Sequence, residues 1–138
     1  MHFISGRVGI IKCAAVADVW PIISGWIESC LKVAPPWWTL ESIRRRCESG
    51  EYVIWLVLLD NKPCAVALSQ LEQFDTALIC NVPWIGGRGM RHWLPFLQEI
   101  IESWAKDAGA THLSGAGRRG WSRMAGMKEI GTILAKEL

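Results

Sequence analysis

The chain has 138 residues and a formal charge of +2, with 51% apolar and 20% charged residues. That length suits a single domain, residues 1–138, with one sizeable core, and the composition excludes a disordered chain. The charge is too small to argue nucleic-acid binding by itself, and no apolar run is long enough to span a bilayer.

Nine tryptophans against one tyrosine supply rings that anchor cores or interfaces, so some are expected to be covered by a partner. The five cysteines, Cys13, Cys30, Cys47, Cys64 and Cys80, contain no C-x-x-C pair. All but Cys47 sit among apolar neighbours and read as buried thiols of a reducing compartment. Met1 to Arg7 lacks a charged start followed by an apolar core, so the expectation is a soluble protein in the cytoplasm at synthesis.

In chain order, Val8 to Cys13 reads as a short first strand. Asp18 then stands as an N-cap with Pro21 tolerated in the first turn, and Ile22, Ile23, Trp26, Ile27, Cys30 and Leu31 mark one helical face. Pro35-Pro36 ends that helix, Trp37-Trp38 follow, and Thr39 caps a second helix from Leu40 to Ser49, closed by Gly50. Its Arg44-Arg45-Arg46 run is more often a solvated face than a binding site, because consecutive helical residues point in different directions. Tyr52 to Leu59 is a continuous apolar run rich in β formers, expected as a central strand covered on both faces. Asp60-Asn61-Lys62 makes a tight turn, Cys64 to Gln73 returns as a hairpin, and Phe74-Asp75-Thr76 turns into a third strand of the meander, Ala77 to Val82.

The stretch from Pro83 to His92 is a glycine-rich turn carrying Arg88 and Arg91. A strand delivering such a turn to a helix start presents backbone amides beside a positive dipole end, which suits phosphate or another anion. The alternative is a crossover whose glycines only let the chain reverse. The helix that follows begins near Leu94 with Pro95 in its first turn. Leu97, Ile100, Ile101, Trp104, Ala105 and Ala108 form its apolar stripe, and Gly109 closes it. Thr111 to Ser114 is a short strand set beside the Ala77 strand by a right-handed crossover. A second glycine and arginine turn, Gly115 to Arg123, then leads through one helical turn to Met127 and a last strand from Glu129 to Lys136. The order is β-α-α-β-β-β-α-β-α-β: an α/β chain with a mixed central sheet of about six strands and helices on both faces. Trp55, Ile79, Leu113 and the stripe Leu97, Ile100, Ile101, Trp104 are the expected core.

That order resembles the GNAT (N-acetyltransferase) superfamily over nearly the whole chain, from about Val8 to Leu138. In that family the fourth strand splays from the fifth to admit the pantetheine arm of acetyl-CoA. The turn after the fourth strand binds the pyrophosphate through an R/Q-x-x-G-x-G/A signature. Val82-Pro83 is similar to the exit of that strand, Gly86 falls where the Arg or Gln stands, and Gly89 matches the first signature glycine. Arg91 replaces the second. The resemblance thus implies a degenerate acetyl-CoA turn built from Asn81, Val82, Gly86, Gly87, Arg88, Gly89 and Arg91, with weak or absent cofactor binding and no metal.

The family commonly uses a carboxylate on or near the fourth strand as general base and a late tyrosine as general acid. The Ala77 strand offers no Glu, the carboxylate near it is Asp75 at its far end, and the one tyrosine is Tyr52. Cys80 is a nucleophile in principle, although a thiol in a core strand is usually inert. His92 and His112 are candidate bases by residue type, yet a lone histidine is more often a hydrogen-bonded structural residue. The motif Gly117-Arg118-Arg119-Gly120-Trp121-Ser122-Arg123 is similar to small GNAT-like proteins of bacteriophages, some of them internal or connector-associated virion components. It could grip a phosphate, or pair with carboxylates of a neighbouring subunit.

Two functions follow. One is a non-catalytic, phage-encoded virion or assembly component that contacts other protein subunits through Trp37, Trp38, Trp84, Arg118, Arg119, Trp121 and Arg123. Such a protein would be made in the host cytoplasm and incorporated in the particle, and nucleic-acid contact through the late arginines is the lesser alternative. The other is an active N-acetyltransferase that moves acetyl from acetyl-CoA to an amine of a host protein or small molecule.

Overall fold

The computed structural model describes residues 1–115, 126–131 and 134–138. The described elements are β1 (His2–Ser5), β2 (Val8–Cys13), α1 (Val16–Leu31), α2 (Leu40–Glu48), β3 (Val53–Leu59), β4 (Lys62–Gln73), β5 (Leu78–Gly87), α3 (Met90–Asp107) and β6 (His112–Ser114). They build one six-stranded sheet in the order β1-β2-β3-β4-β5-β6. Neighbours are antiparallel up to β5, and β5 pairs with β6 in parallel. This is the mixed α/β, GNAT-like architecture expected from the sequence.

Local chemistry explains most boundaries. Thr39 and Ser42 form a reciprocal capping box at the start of α2, which satisfies two amides that the first helical turn leaves open. Asp60 and Asn61 both take positive φ, 51° and 64°, the conformation of the two-residue turns whose twist suits a β-hairpin. At the end of α3, Gly109 N–H bonds Lys106 C=O and Ala110 N–H bonds Ala105 C=O, both at 2.9 Å. Together with φ +95° at Gly109 this is a complete Schellman closure.

The sheet carries a core on each face. On one, α3 packs Trp93, Leu97 and Ile101 over Trp55, Val57, Ala65 and Ala67. Trp104 meets Trp55 edge to face at 5.4 Å. On the other, α1 and α2 bring Ile23, Ile27 and Ile43 onto Ile54, Leu56, Val66, Leu68 and Trp84. The expected core therefore stands for Trp55, Leu97 and Ile101, with Ile100, Trp104 and Leu113 partly buried beside them. Ile79 is half-buried and lines a surface cleft instead.

Five boundaries differ from the sequence reading. The N-terminal residues form a strand, β1, turned onto β2 by Gly6 at φ +58°. Helix α1 starts at Val16, so Asp18 lies in its first turn and faces the dipole rather than capping it. Helix α3 starts at Met90 and Pro95 falls inside it; burial of Trp93 and its 2.6 Å bond from Nε1 to the Arg88 carbonyl hold that earlier turn in place.

Strand β5 runs on to Gly87, so much of the expected glycine turn is strand. It passes through a bulge where Val82 and Pro83 face Ser69, the partners changing from Leu68↔Trp84 to Gln70↔Asn81. Proline, which has no N–H to give a ladder, is tolerated at such a place. The strand expected over 129–136 is not one among its described residues, where Ile130 and Leu134 are exposed and no neighbour pairs with them. A strand needs a ladder partner, and the apolar pattern alone does not supply it.

Candidate functional site

The glycines after Asn81 separate by cause. A side chain on Gly86 would meet Cys30 Sγ and the Trp26 carbonyl, both at 2.9 Å, so this glycine lets α1 lie directly on β5. Gly87 takes φ +128° and its backbone rests against Cys64 and Ala65, atoms a Cβ would approach to 2.4 Å. Only Gly89, at φ +75° with its nearest outside atom at 3.6 Å, stands at an open helix start. It is the N-cap of α3 and offers no side-chain cap, so first-turn amides of that helix are left to other acceptors.

The charges around this helix start are basic. Arg88, Arg91 and His92 are exposed there, and the first turn holds no acidic residue. Neither arginine forms an ion pair among the described residues. Cations beside a positive dipole end repel it, an arrangement that an anion would relieve. The Arg88 guanidinium is close enough to draw the Cys64 thiol pKa down, although burial is the larger effect and leaves it raised.

A second feature lies where the pairing of β5 with β6 ends. Only Ile79↔His112, Cys80↔Leu113 and Asn81↔Ser114 pair, and Gly115 still lies close to the Val82 carbonyl, 3.4 Å from where its Cβ would be. Beyond that point β5 continues with β4 on one side and no strand on the other among the described residues. At this junction an open cleft of about 260 Å³ is lined by Glu72, Phe74, Ile79, Asn81, Ser114 and Gly115. Asn81 Nδ2 donates to Glu72 Oε1 at 3.5 Å, and Ser114 Oγ donates to Asn81 Oδ1 at 3.4 Å.

Glu72 is the residue that sequence reasoning missed. It sits on β4, paired with Ile79, and the alternation of the two strands puts it on the same face as Asn81. The signal was the hairpin register: once the Phe74 N–H bonds the Ala77 carbonyl at 2.8 Å, Glu72 must come beside β5. Asp75 is exposed in the turn itself and does not line the cleft.

The remaining residues singled out from sequence fall elsewhere. Trp84 is only 5% exposed, a core ring rather than an exposed anchor. Its indole N–H is buried without a partner at hydrogen-bonding geometry among the described residues. Burial raises the Tyr52 pKa, and the nearby Trp84 indole opposes that rise. Trp38 packs edge to face on Trp84 at 5.5 Å under the Arg46 guanidinium, so it closes the rim of the α1/α2 core. Trp37 is 62% exposed. Arg118, Arg119, Trp121 and Arg123 lie outside the described residues.

Burial pushes the Cys80 thiol up to about 11 and the Cys47 thiol up to about 12, so neither supplies a thiolate near neutral pH. His112 is exposed and shares a hydrogen bond of 2.8 Å with the Thr111 hydroxyl. Tyr52 belongs to the α1/α2 core and does not line the cleft. Among the described residues no group of His, Cys, Asp and Glu could hold a metal ion, and no helix is long and apolar enough to cross a membrane.

No protein-family model matches the chain, and no curated protein matches it by sequence. Solved structures share its fold. A predicted acetyltransferase with acetyl-CoA from Clostridium acetobutylicum aligns with a TM-score of 0.68 at 11% identity, over 94% of this chain and 96% of its own. Glucosamine-6-phosphate N-acetyltransferase from Arabidopsis thaliana aligns at 0.65 and 15%, over 94% and 97%. An aminoglycoside acetyltransferase from an uncultured soil metagenomic sample, in complex with sisomicin, aligns at 0.67 and 11%, over 96% and 97%. The chain has the fold of the GNAT acetyltransferases.

Proposed function

We propose that the protein is an acetyl-CoA-dependent N-acetyltransferase, with Glu72 as the general base at the junction of β5 and β6. The observation that carries this reading is the Glu72 carboxylate, which accepts from Asn81, itself accepting from Ser114, beside the end of the β5–β6 pairing. It supplies a carboxylate beside that strand, where the sequence offered Asp75 at the strand's far end.

Acetyl-CoA fits the residues present in two places. The edge of β5 past Asn81, left without a strand partner among the described residues, offers backbone groups to the amides of a pantetheine arm. The α3 start, with Gly89, Arg88 and Arg91 and no acidic residue in the first turn, suits a diphosphate. When bound, acetyl-CoA supplies the acetyl group as a thioester. Joining it to an ammonium forms a C–N bond, breaks the C–S bond and takes two protons from nitrogen. One stays with the departing thiol, and Glu72 carries the other to solvent. Thiols ionise near about pH 8.5, so the leaving sulfur does not depend on a tyrosine acid.

The test is acetyl transfer to a panel of amines followed by mass spectrometry. Wild-type protein is expected to acetylate at least one amine, and Glu72→Gln to lower the rate by roughly 10²- to 10⁴-fold. Transfer unaffected by that substitution removes Glu72 from the mechanism.

A second reading is a non-catalytic assembly component of a bacteriophage particle that uses the same fold as a binding scaffold. It draws on Trp37, a large ring 62% exposed in the loop before α2, where an interface anchor would stand. Co-purification with particle proteins that is lost in Trp37→Ala would favour it.

A further inference from the structure

The cleft beside Glu72 has a chemistry that narrows the acceptor. Among the described residues its lining carries one charge, the Glu72 carboxylate, with Oε1 already taken by Asn81 and Oε2 without a partner. A free carboxylate oxygen at the mouth of an open cleft accepts a charge-assisted hydrogen bond from an ammonium. Ile79, the cross-strand partner of Glu72, and Phe74 complete the apolar part of the lining, the first half-buried and the second 54% exposed. The Phe74 backbone is fixed at both ends, with its N–H on the Ala77 carbonyl and its C=O accepting from Gln73 Nε2, each at 2.8 Å. An apolar wall held this way rewards a ligand that covers it. The volume, about 260 Å³, lies below the range of roughly 300–1,000 Å³ typical for drug-sized ligands.

We infer that the acyl acceptor is a small primary amine with a single positive charge and an apolar, preferably aromatic, body. Its ammonium sits on Glu72 and its hydrocarbon lies against Phe74 and Ile79. This rests on the acetyltransferase reading and adds the substrate class. A phosphorylated amino sugar would bring its phosphate to a lining whose one charge, among the described residues, is negative. A polyamine would leave its further charges facing Phe74 and Ile79, at a cost in desolvation.

Equilibrium binding to the full chain, measured by calorimetry without acetyl-CoA, tests the inference apart from turnover. The probes are 2-phenylethylamine, spermidine and glucosamine 6-phosphate. The expected result is that 2-phenylethylamine binds at least about tenfold tighter than the other two. Glu72→Gln and Phe74→Ala should each weaken it by roughly tenfold or more, while circular dichroism shows both variants folded. Tighter binding of spermidine or the sugar phosphate, affinity unaltered in both variants, or no binding of 2-phenylethylamine overturns the inference. If acetyl transfer to some other amine is nevertheless seen, only the substrate class falls. If acetyl-CoA itself fails to bind, the acetyltransferase reading falls with it.

Discussion

Replacing Gly87 by alanine separates a structural glycine from a ligand-binding one. The new Cβ would come within 2.4 Å of Ala65 Cα and of the Cys64 carbonyl, both backbone atoms that cannot swing aside. A φ of +128° is also a conformation that side chains rarely adopt, costing about 1–3 kcal/mol. Forcing a methyl into a filled space adds typically about 1–3 kcal/mol. The sum, ~2–6 kcal/mol, is a large share of the roughly 5–15 kcal/mol that holds a domain together. At roughly 3–4 °C per kcal/mol for a chain of this size, the melting temperature should fall by roughly 6–24 °C. Gly89→Ala meets its nearest outside atom at 3.6 Å and carries only the left-handed penalty of about 1–2 kcal/mol. Calorimetric melting of both variants beside wild type decides the matter. A Gly87→Ala protein that melts no lower than Gly89→Ala would refute the assignment of Gly87 to packing.

Ser69→Ala should destabilise the fold by about 1–3 kcal/mol in urea unfolding, because it strands the buried Trp55 indole N–H that now donates to Ser69 Oγ at 2.8 Å. Trp38→Ala should lower stability by at least about 0.5–1.5 kcal/mol through loss of its contact with Trp84, whereas Trp37→Ala, at an exposed ring, should leave the melting curve in place. Cys80 and Cys47 have pKa values raised from 9.0 to about 11 and about 12 in the folded protein. The unfolded chain therefore loses these protons first, and stability, fully present below about pH 9, should fall as pH rises from there toward about 12. Melting temperatures across that range should drop less steeply in the Cys47→Ala, Cys80→Ala double variant. Labelling of native protein at neutral pH should leave Cys80 unmodified.

Elements whose signals are local were legible in the sequence. Gly109 after α3 and the Asp60-Asn61 turn take left-handed backbone that few other residues accept, Thr39 before α2 supplies a side-chain cap, and each stands where expected. The apolar run of β3 and the Leu97–Ile101–Trp104 stripe likewise mark their buried faces. What the chain did not reveal depends on pairing. β1 is four residues long and exists because β2 offers it an edge. The extension of β5 through Pro83 depends on a bulge opposite Ser69, which no run of residues announces. Glu72 was overlooked for the same reason. Its hydrogen-bond partner, Asn81, is nine positions away on another strand, and only the hairpin register joins them. Trp84 read as a spare ring in a glycine turn because the turn was taken to begin at Pro83; as a β5 residue it points into the α1/α2 core.

Calorimetric titration of the full chain with acetyl-CoA tests the central claim most directly. One-to-one binding at micromolar affinity, about 8 kcal/mol, is expected, weakened in an Arg88→Ala, Arg91→Ala double variant that melts like wild type. Absence of binding at millimolar acetyl-CoA would contradict it and leave the α3 start and the β5 edge without the ligand assigned to them.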